Sequence, residues 1–318
     1  MVRGIYLAQA SRMNRWLSLW RRLADARVAR IVSVAVSIVV SGCNLVEKVR
    51  SPTAPSPVGP PAATAPVRYT AIGASDAIGI GATVVCVPFA ECENGTGYVP
   101  VLARQLRAAR EVTLLNLGIP ASVLSPAIHQ IARQYGREIP ANFVDREMPF
   151  VASNSTLVTI LGGPNDVNAL ADAIERGAAG SDLRGYIDTQ VRAFGADYDR
   201  LVRGVRDRAT EAFIIVLNVP NLAGLPYAAT YSLQRRQVLQ AVSVGFSREA
   251  NRQAGSGVVV LDLMCDAAVY DSSRFSSDGF HPNDAGYAHL AARLLTLVNG
   301  ASSTPAGACG QMGLVPSL

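Results

Sequence analysis

The chain has 318 residues, 49% of them hydrophobic and 17% charged, enough to bury the core of a single α/β domain. Its net charge of +5 is concentrated at one end: seven arginines and a single acid, Asp25, precede Cys43, and the 22 basic and 23 acidic residues that remain nearly cancel. That balance excludes a nucleic-acid partner, because the rest of the chain has no basic footprint for a phosphate backbone.

The first segment is laid out like an export signal. Arginine-rich RRLADARVAR (21–30) leads into apolar IVSVAVSIVVSG (31–42) and then Cys43. The uncharged run ends at Val46, short of the ~20 apolar residues of a permanent membrane span. VSGC at 40–43 resembles the lipobox of bacterial lipoproteins, in which small residues fit the signal-peptidase cleft and the cysteine becomes the lipidated first residue. The resemblance implies a signal peptide over 1–42, a lipid on Cys43 that holds the protein to a membrane, and a place in the cell envelope; Asn44 rather than Asp favours outer-membrane sorting. The long leader leaves Met13 as an alternative start. Both tryptophans, Trp16 and Trp20, precede Cys43, so the cleaved protein is expected to show no indole fluorescence. Pro-, Ala- and Ser-rich SPTAPSPVGPPAATAPV (51–67) cannot bury a core and reads as an extended tether. The expected organisation is signal 1–42, tether 43–66 and folded domain 67–318.

Within the domain, apolar runs suited to buried parallel strands recur: VRYTAIGA (67–74), VTLLNLGI (112–119), STLVTILGG (155–163), AFIIVLNV (212–219) and GVVVLDL (257–263). Helical periodicity fills the gaps at 98–110, 183–209, 233–254 and 284–298, the last with Asn283 as N-cap. Strands alternating with helices predict a parallel sheet covered on both faces. Four cysteines follow Cys43, an even number that suggests disulfides in an exported protein; of the three possible pairings, Cys86–Cys92 and Cys265–Cys309 is favoured. None has metal-site spacing with a histidine.

In such sheets ligands sit at the carboxyl ends of the strands. Those ends carry Gly73-Ala74-Ser75-Asp76, Asn116-Leu117-Gly118, Gly163-Pro164-Asn165-Asp166 and, beyond a loop, Asp278-Gly279-Phe280-His281. Together they hold what acyl transfer needs. A serine on a tight turn at a helix start can attack, and His281, in a Gly/Pro-bounded loop, can take its proton. Asp278 can fix the ring from its far nitrogen, while the Gly118 N–H, the Asn165 amide and the Ser75 N–H can hold an oxyanion. His129 and His289 lie in helical segments and are read as packing or surface residues. Asp166 is expected to cap its own helix, the arginine-rich helix 183–209 to be a solvated face, and Glu138, Asp145 and Glu147 to form a rim.

GASD, NLG, GPND and DGFHPN, in this order, resemble the SGNH (GDSL-like) hydrolases from about Val67 to Leu297. The resemblance implies a three-layer α/β/α sandwich, flavodoxin-like, with a mostly five-stranded parallel sheet. It also implies hydrolysis of lipid, small-alcohol or carbohydrate esters without a metal or organic cofactor. Carried over by position, Ser75 is the nucleophile, His281 the base, Asp278 its partner, and Gly118 and Asn165 oxyanion donors. Two features depart from the commonest pattern: Ala74 stands where an Asp usually precedes the serine, and NLGIPAS lacks a second glycine. Asp76 is expected to brace the turn by local capping. The loops CVPFAEC (86–92) and 220–232 are expected to border the cleft. The competing readings are acyl transfer to another alcohol at the same site, and a binding lipoprotein that has lost the chemistry.

Overall fold

A computed structural model describes residues 58–90 and 92–318. The signal segment, Cys43, both tryptophans and the first part of the tether lie outside the described residues. Five strands, β1 (Val67–Gly73), β2 (Val112–Asn116), β3 (Leu157–Leu161), β4 (Phe213–Leu217) and β5 (Val258–Leu261), form one all-parallel sheet in the order β2-β1-β3-β4-β5. β1 is central to the site because it is paired on both sides, Val67 opposite Val112 and Gly73 opposite Leu161. All five strands fall in the apolar runs of the sequence, but β1 stops one residue, and the others two or three, before the end of the run. The excess apolar residues enter the loops at the strand ends.

Eight α-helices flank the sheet among the described residues: α1 (Ser75–Ile78), α2 (Tyr98–Arg107), α3 (Pro126–Gln134), α4 (Phe143–Arg146), α5 (Pro164–Glu175), α6 (Leu183–Arg208), α7 (Leu233–Asn251) and α8 (Asp284–Val298). Alternation along the strands assigns the two faces. Ile72, Val158, Ile160, Ile214 and Val216 point into one apolar layer with residues of α3 to α7. Tyr69, Ala71, Leu157, Ile215 and Leu217 point into the other with α1, α2 and α8. Leu102, Leu170, Phe246 and Leu294 are completely buried, each side chain contributing roughly 1.5–3 kcal/mol. On the first face Phe194 stacks on Phe246 with centroids 3.9 Å apart.

The cysteines pair as Cys86–Cys92, closing a loop between α1 and α2, and Cys265–Cys309, pinning the C-terminal tail beside the end of β5. The tail is clasped further along. Gln240 donates from Nε2 to the Val315 carbonyl at 2.7 Å and accepts the Val315 N–H at 3.0 Å.

The chain enters the domain at the amino ends of the strands. Arg110, just before β2, donates to the carbonyls of Pro61 and Ala62 at 3.4 and 3.1 Å. Val58 lies against Gly257, just before β5. No helix among the described residues is long and apolar enough to cross a membrane.

Candidate active site

β1 ends at Gly73 and the chain turns directly into α1, whose first residue is Ser75. Ala74, at the N-cap, has no side-chain hydrogen bond to offer. The turn tolerates nothing large: a Cβ on Gly73 would lie 2.9 Å from the Ala77 Cβ. Ser75 is 6% exposed, so its hydroxyl is presented from a nearly closed floor. His281 Nε2 lies 2.8 Å from Ser75 Oγ, 206 residues away in sequence. The other ring nitrogen, Nδ1, lies 2.6 Å from Asp278 Oδ2. With Asp278 ionised, Nδ1 carries the proton and Nε2 accepts from the serine hydroxyl, a tautomer assigned from these partners.

The histidine loop wires itself. Asp278 Oδ1 accepts the N–H groups of Phe280 and His281 at 2.8 and 2.9 Å and the Ser276 hydroxyl at 2.8 Å. Partial burial pushes the Asp278 carboxyl up, but the hydrogen bonds from His281, Phe280 and Ser276 outweigh it and hold it at about 2. Gly279 adopts φ +67°, and a Cβ there would lie 2.7 Å from the Tyr227 backbone nitrogen. The Tyr227 N–H donates to the Gly279 carbonyl at 3.0 Å, which fixes the loop to residues 220–232. Asn283 caps α8 as expected, accepting from Ala285 and Gly286.

The donors opposite are arranged differently from the sequence expectation. Asn165, the second residue of α5, donates one N–H to the Ser122 carbonyl at 2.8 Å and lines the same groove as Ser75 and His281. An amide has a second N–H. Gly118, by contrast, is buried beneath the nucleophile turn. Its N–H donates to Asn116 Oδ1 at 3.1 Å, and Asn116 Nδ2 donates to the Ala77 carbonyl at 2.7 Å. Pro120 and Ala121 of this loop line the groove, and of the two only Ala121 has an N–H to offer. Ala121 holds a left-handed φ of +63°, and its N–H has no acceptor among the described residues. The sequence reading looked for a glycine and passed over this position. The only signal was the absence of a second glycine from NLGIPAS, since a left-handed residue is usually Gly.

Three acids, Asp166 and Glu147 buried and Asp76 half-buried, brace the site, none in the expected way. Asp166 does not cap its own helix; its two oxygens accept the N–H groups of Leu124 and Ser125 at 2.8 and 2.9 Å. It thereby holds the start of α3 and the loop that carries Ala121. Burial pushes the Asp166 carboxyl up to about 7 against the pull of those two N–H groups. Asp76 caps nothing either, but accepts from the Tyr287 hydroxyl at 3.2 Å and is raised by burial. Glu147, expected at a rim, is completely buried and accepts the Gly73 N–H at 2.9 Å. His129 and His289 bond Asn142 and Asp266. Among the described residues no group of His, Cys, Asp and Glu side chains is placed to hold a metal ion.

Ser75, Ala121, Asn165 and His281 face an open groove of about 560 Å³. Tyr227, Tyr231, Arg137, Arg235 and Asp172 form much of its wall. Asp172 is bonded by both arginines, and the Arg235 guanidinium lies 4.7 Å from the Tyr231 ring centroid. The 220–232 loop thus borders the groove. The Cys86–Cys92 loop does not line it; Val87 and Phe89 there are 68% and 56% exposed. Leu222 and Leu225, also expected at the cleft, line a separate apolar cavity with Asp76, Phe275 and Leu290.

No curated protein matches the sequence. Among solved structures, a lipase from a goat rumen metagenome is 18% identical with a TM-score of 0.50, over 73% of this chain and 97% of that one. An extracellular lipase from Streptomyces rimosus is 17% identical at 0.47, over 73% and 99%. An acetyl xylan esterase variant from Geobacillus stearothermophilus is 16% identical at 0.47, over 74% and 96%. The goat rumen likeness is one of fold, the α/β sandwich with a five-stranded parallel sheet. The sequence itself matches the model of the GDSL-like Lipase/Acylhydrolase family over residues 71–289, and the chain belongs to that family.

Proposed function

We propose that the protein is a serine ester hydrolase in which Ser75 attacks the ester carbonyl. The observation that carries this reading is the continuous Ser75–His281–Asp278 relay, at 2.8 and 2.6 Å. As Oγ bonds to the carbonyl carbon, His281 Nε2 takes the hydroxyl proton and Asp278 stabilises the imidazolium. The carbonyl oxygen becomes an oxyanion facing the Ser75 N–H, the Ala121 N–H and the free N–H of Asn165; one such donor typically lowers the barrier by about 2.7–4 kcal/mol. His281 then returns the proton to the departing alcohol, leaving an acyl-serine. A water that gives its proton to the same nitrogen releases the acid and restores the hydroxyl. The residues that hold the oxyanion include Ala121 in place of Gly118, whose N–H is already bonded to Asn116.

The groove wall favours a short acyl group and a polar alcohol. Two tyrosines offer flat apolar faces, and the Arg137–Asp172–Arg235 cluster offers donors and acceptors beside them, the combination that suits a carbohydrate ester. The disulfides suit an oxidising compartment. The arginine-rich leader and VSGC support export and a lipid on Cys43 in the cell envelope. Hydrolysis of p-nitrophenyl esters of increasing acyl length by the wild type and by Ser75→Ala tests the reading. Activity should be highest on acetate and butyrate and vanish in the variant. An inert wild type, or a variant of equal activity, refutes it.

A further inference from the structure

Glu147 is a buried acid that the reaction does not use. Its side chain is fully inaccessible, one oxygen accepts the Gly73 N–H at 2.9 Å, and the other has no partner. Burial pushes its carboxyl well above the usual carboxylate range. A buried carboxyl is costly unless something compensates, and here its one hydrogen bond falls two residues before Ser75. Gly73 is the last residue of β1; on one side its carbonyl still accepts from Ile119 at 3.1 Å, but its N–H has no ladder carbonyl and takes the Glu147 oxygen instead. The next residue, Ala74, has no polar side chain with which to hold the turn, and Asp76 faces Tyr287.

Glu147 comes from the opposite direction. It directly follows α4, with its own N–H bonded to the Phe143 carbonyl at 3.1 Å. Its neighbour Met148 packs on Gly204 of α6, and Asn142 caps α4 by accepting the Asp145 N–H at 2.9 Å. The carboxyl is therefore mounted on the helical layer of one sheet face and reaches to the end of the strand that carries the nucleophile.

We infer that Glu147 is the positioning residue of the nucleophile turn: it ends β1 at Gly73 and sets where Ser75 Oγ stands relative to His281. The inference rests on Ser75 being the nucleophile. It requires an acceptor of the right reach at position 147, and requires no negative charge.

Four proteins test it: wild type, Glu147→Gln, Glu147→Asp and Glu147→Met, each assayed for kcat and KM on p-nitrophenyl acetate and for the rate of Ser75 labelling by a fluorophosphonate. Glutamine keeps reach and acceptor and should stay within 3-fold of wild type in kcat. Aspartate is one methylene too short and methionine cannot accept. Either should lose 20-fold or more in kcat and in labelling rate, with KM within 2-fold. Wild-type kcat in the folded Asp or Met variant overturns the inference, as does a Gln variant as impaired as Met. If Asp and Met do not fold, the Gln variant alone decides: retention supports an acceptor and loss refutes it. Failure of the enzyme reading itself looks different, since the wild type is then inert or Ser75→Ala remains active.

Discussion

Two loops face each other across Ser75, and they are held in opposite ways. The histidine loop, residues 276–283, is stabilised from within: one carboxylate, Asp278, bonds a hydroxyl, two backbone N–H groups and the imidazole, all within three residues. The loop from Gly118 to Ser125 is held from outside, by Asp166 across 41 and 42 residues and by Asn165 across 43. Apart from one outside tie, the Tyr227 N–H on the Gly279 carbonyl, the first is a self-contained turn whose chemistry travels with its sequence. The second has a shape determined elsewhere, including a left-handed alanine that local preference alone would not choose.

Replacing Asp278 by Asn gives the largest expected effect. The loop keeps its size, but the imidazole loses its ionised partner and its tautomer, and kcat should fall by about 10³–10⁴-fold with little change in melting temperature. A fall of less than tenfold, measured as kcat on p-nitrophenyl acetate, contradicts the self-contained account of that loop. Replacing Asp166 by Asn strikes the other loop. One of the two N–H groups then meets an amide donor, and stability should fall by about 1–3 kcal/mol at pH 5.

That loss depends on pH in a defined direction. The folded carboxyl, at about 7, lies above the ordinary range near 4. Its favourable contribution is complete below about pH 4 and disappears as pH rises through about 7. The wild type and Asp166→Asn should therefore differ less at pH 8 than at pH 5 in urea unfolding. A gap that widens with pH shows that the carboxylate form is the preferred one in the fold. The smallest effect belongs to Ala121→Gly. Relief of the left-handed alanine and the added freedom of the unfolded chain oppose each other, so thermal unfolding should shift by no more than about 1 kcal/mol. Activity should persist, because the N–H is retained. A tenfold drop in kcat removes Ala121 from the oxyanion donors.

The same contrast explains what the sequence made legible. The five strands were readable because strands buried on both faces are continuous apolar runs, and the polar clusters at their ends stood out against them. Ser75, Asn165, Asp278 and His281 were found that way; Ser75, Asn165 and His281 line one groove, and Asp278 stands behind the imidazole. Asp278 and His281 needed only a three-residue spacing. Asp166 and Glu147 were misread, and Ala121 passed over, because what defines them is distant. Nothing in ANFVDREMPF announces that Glu147 ends a strand 74 residues earlier, and nothing in GPND separates a helix cap from a clamp on another loop. Gly118 was chosen for its missing side chain, but that space serves the close approach of Ala77, 2.7 Å from a would-be Cβ.

The path by which the chain joins the domain gives the molecule a front and a back. Residues 58–62 lie at the amino ends of the strands, beside Arg110 and Gly257, and the groove opens at the carboxyl ends. A lipid on Cys43 would hold the enzyme by its back, with 15 residues of leash to Val58, roughly 50 Å at full stretch. If the lipid proposed for Cys43 is present, the length of that leash limits how far from its attachment the groove can reach an ester.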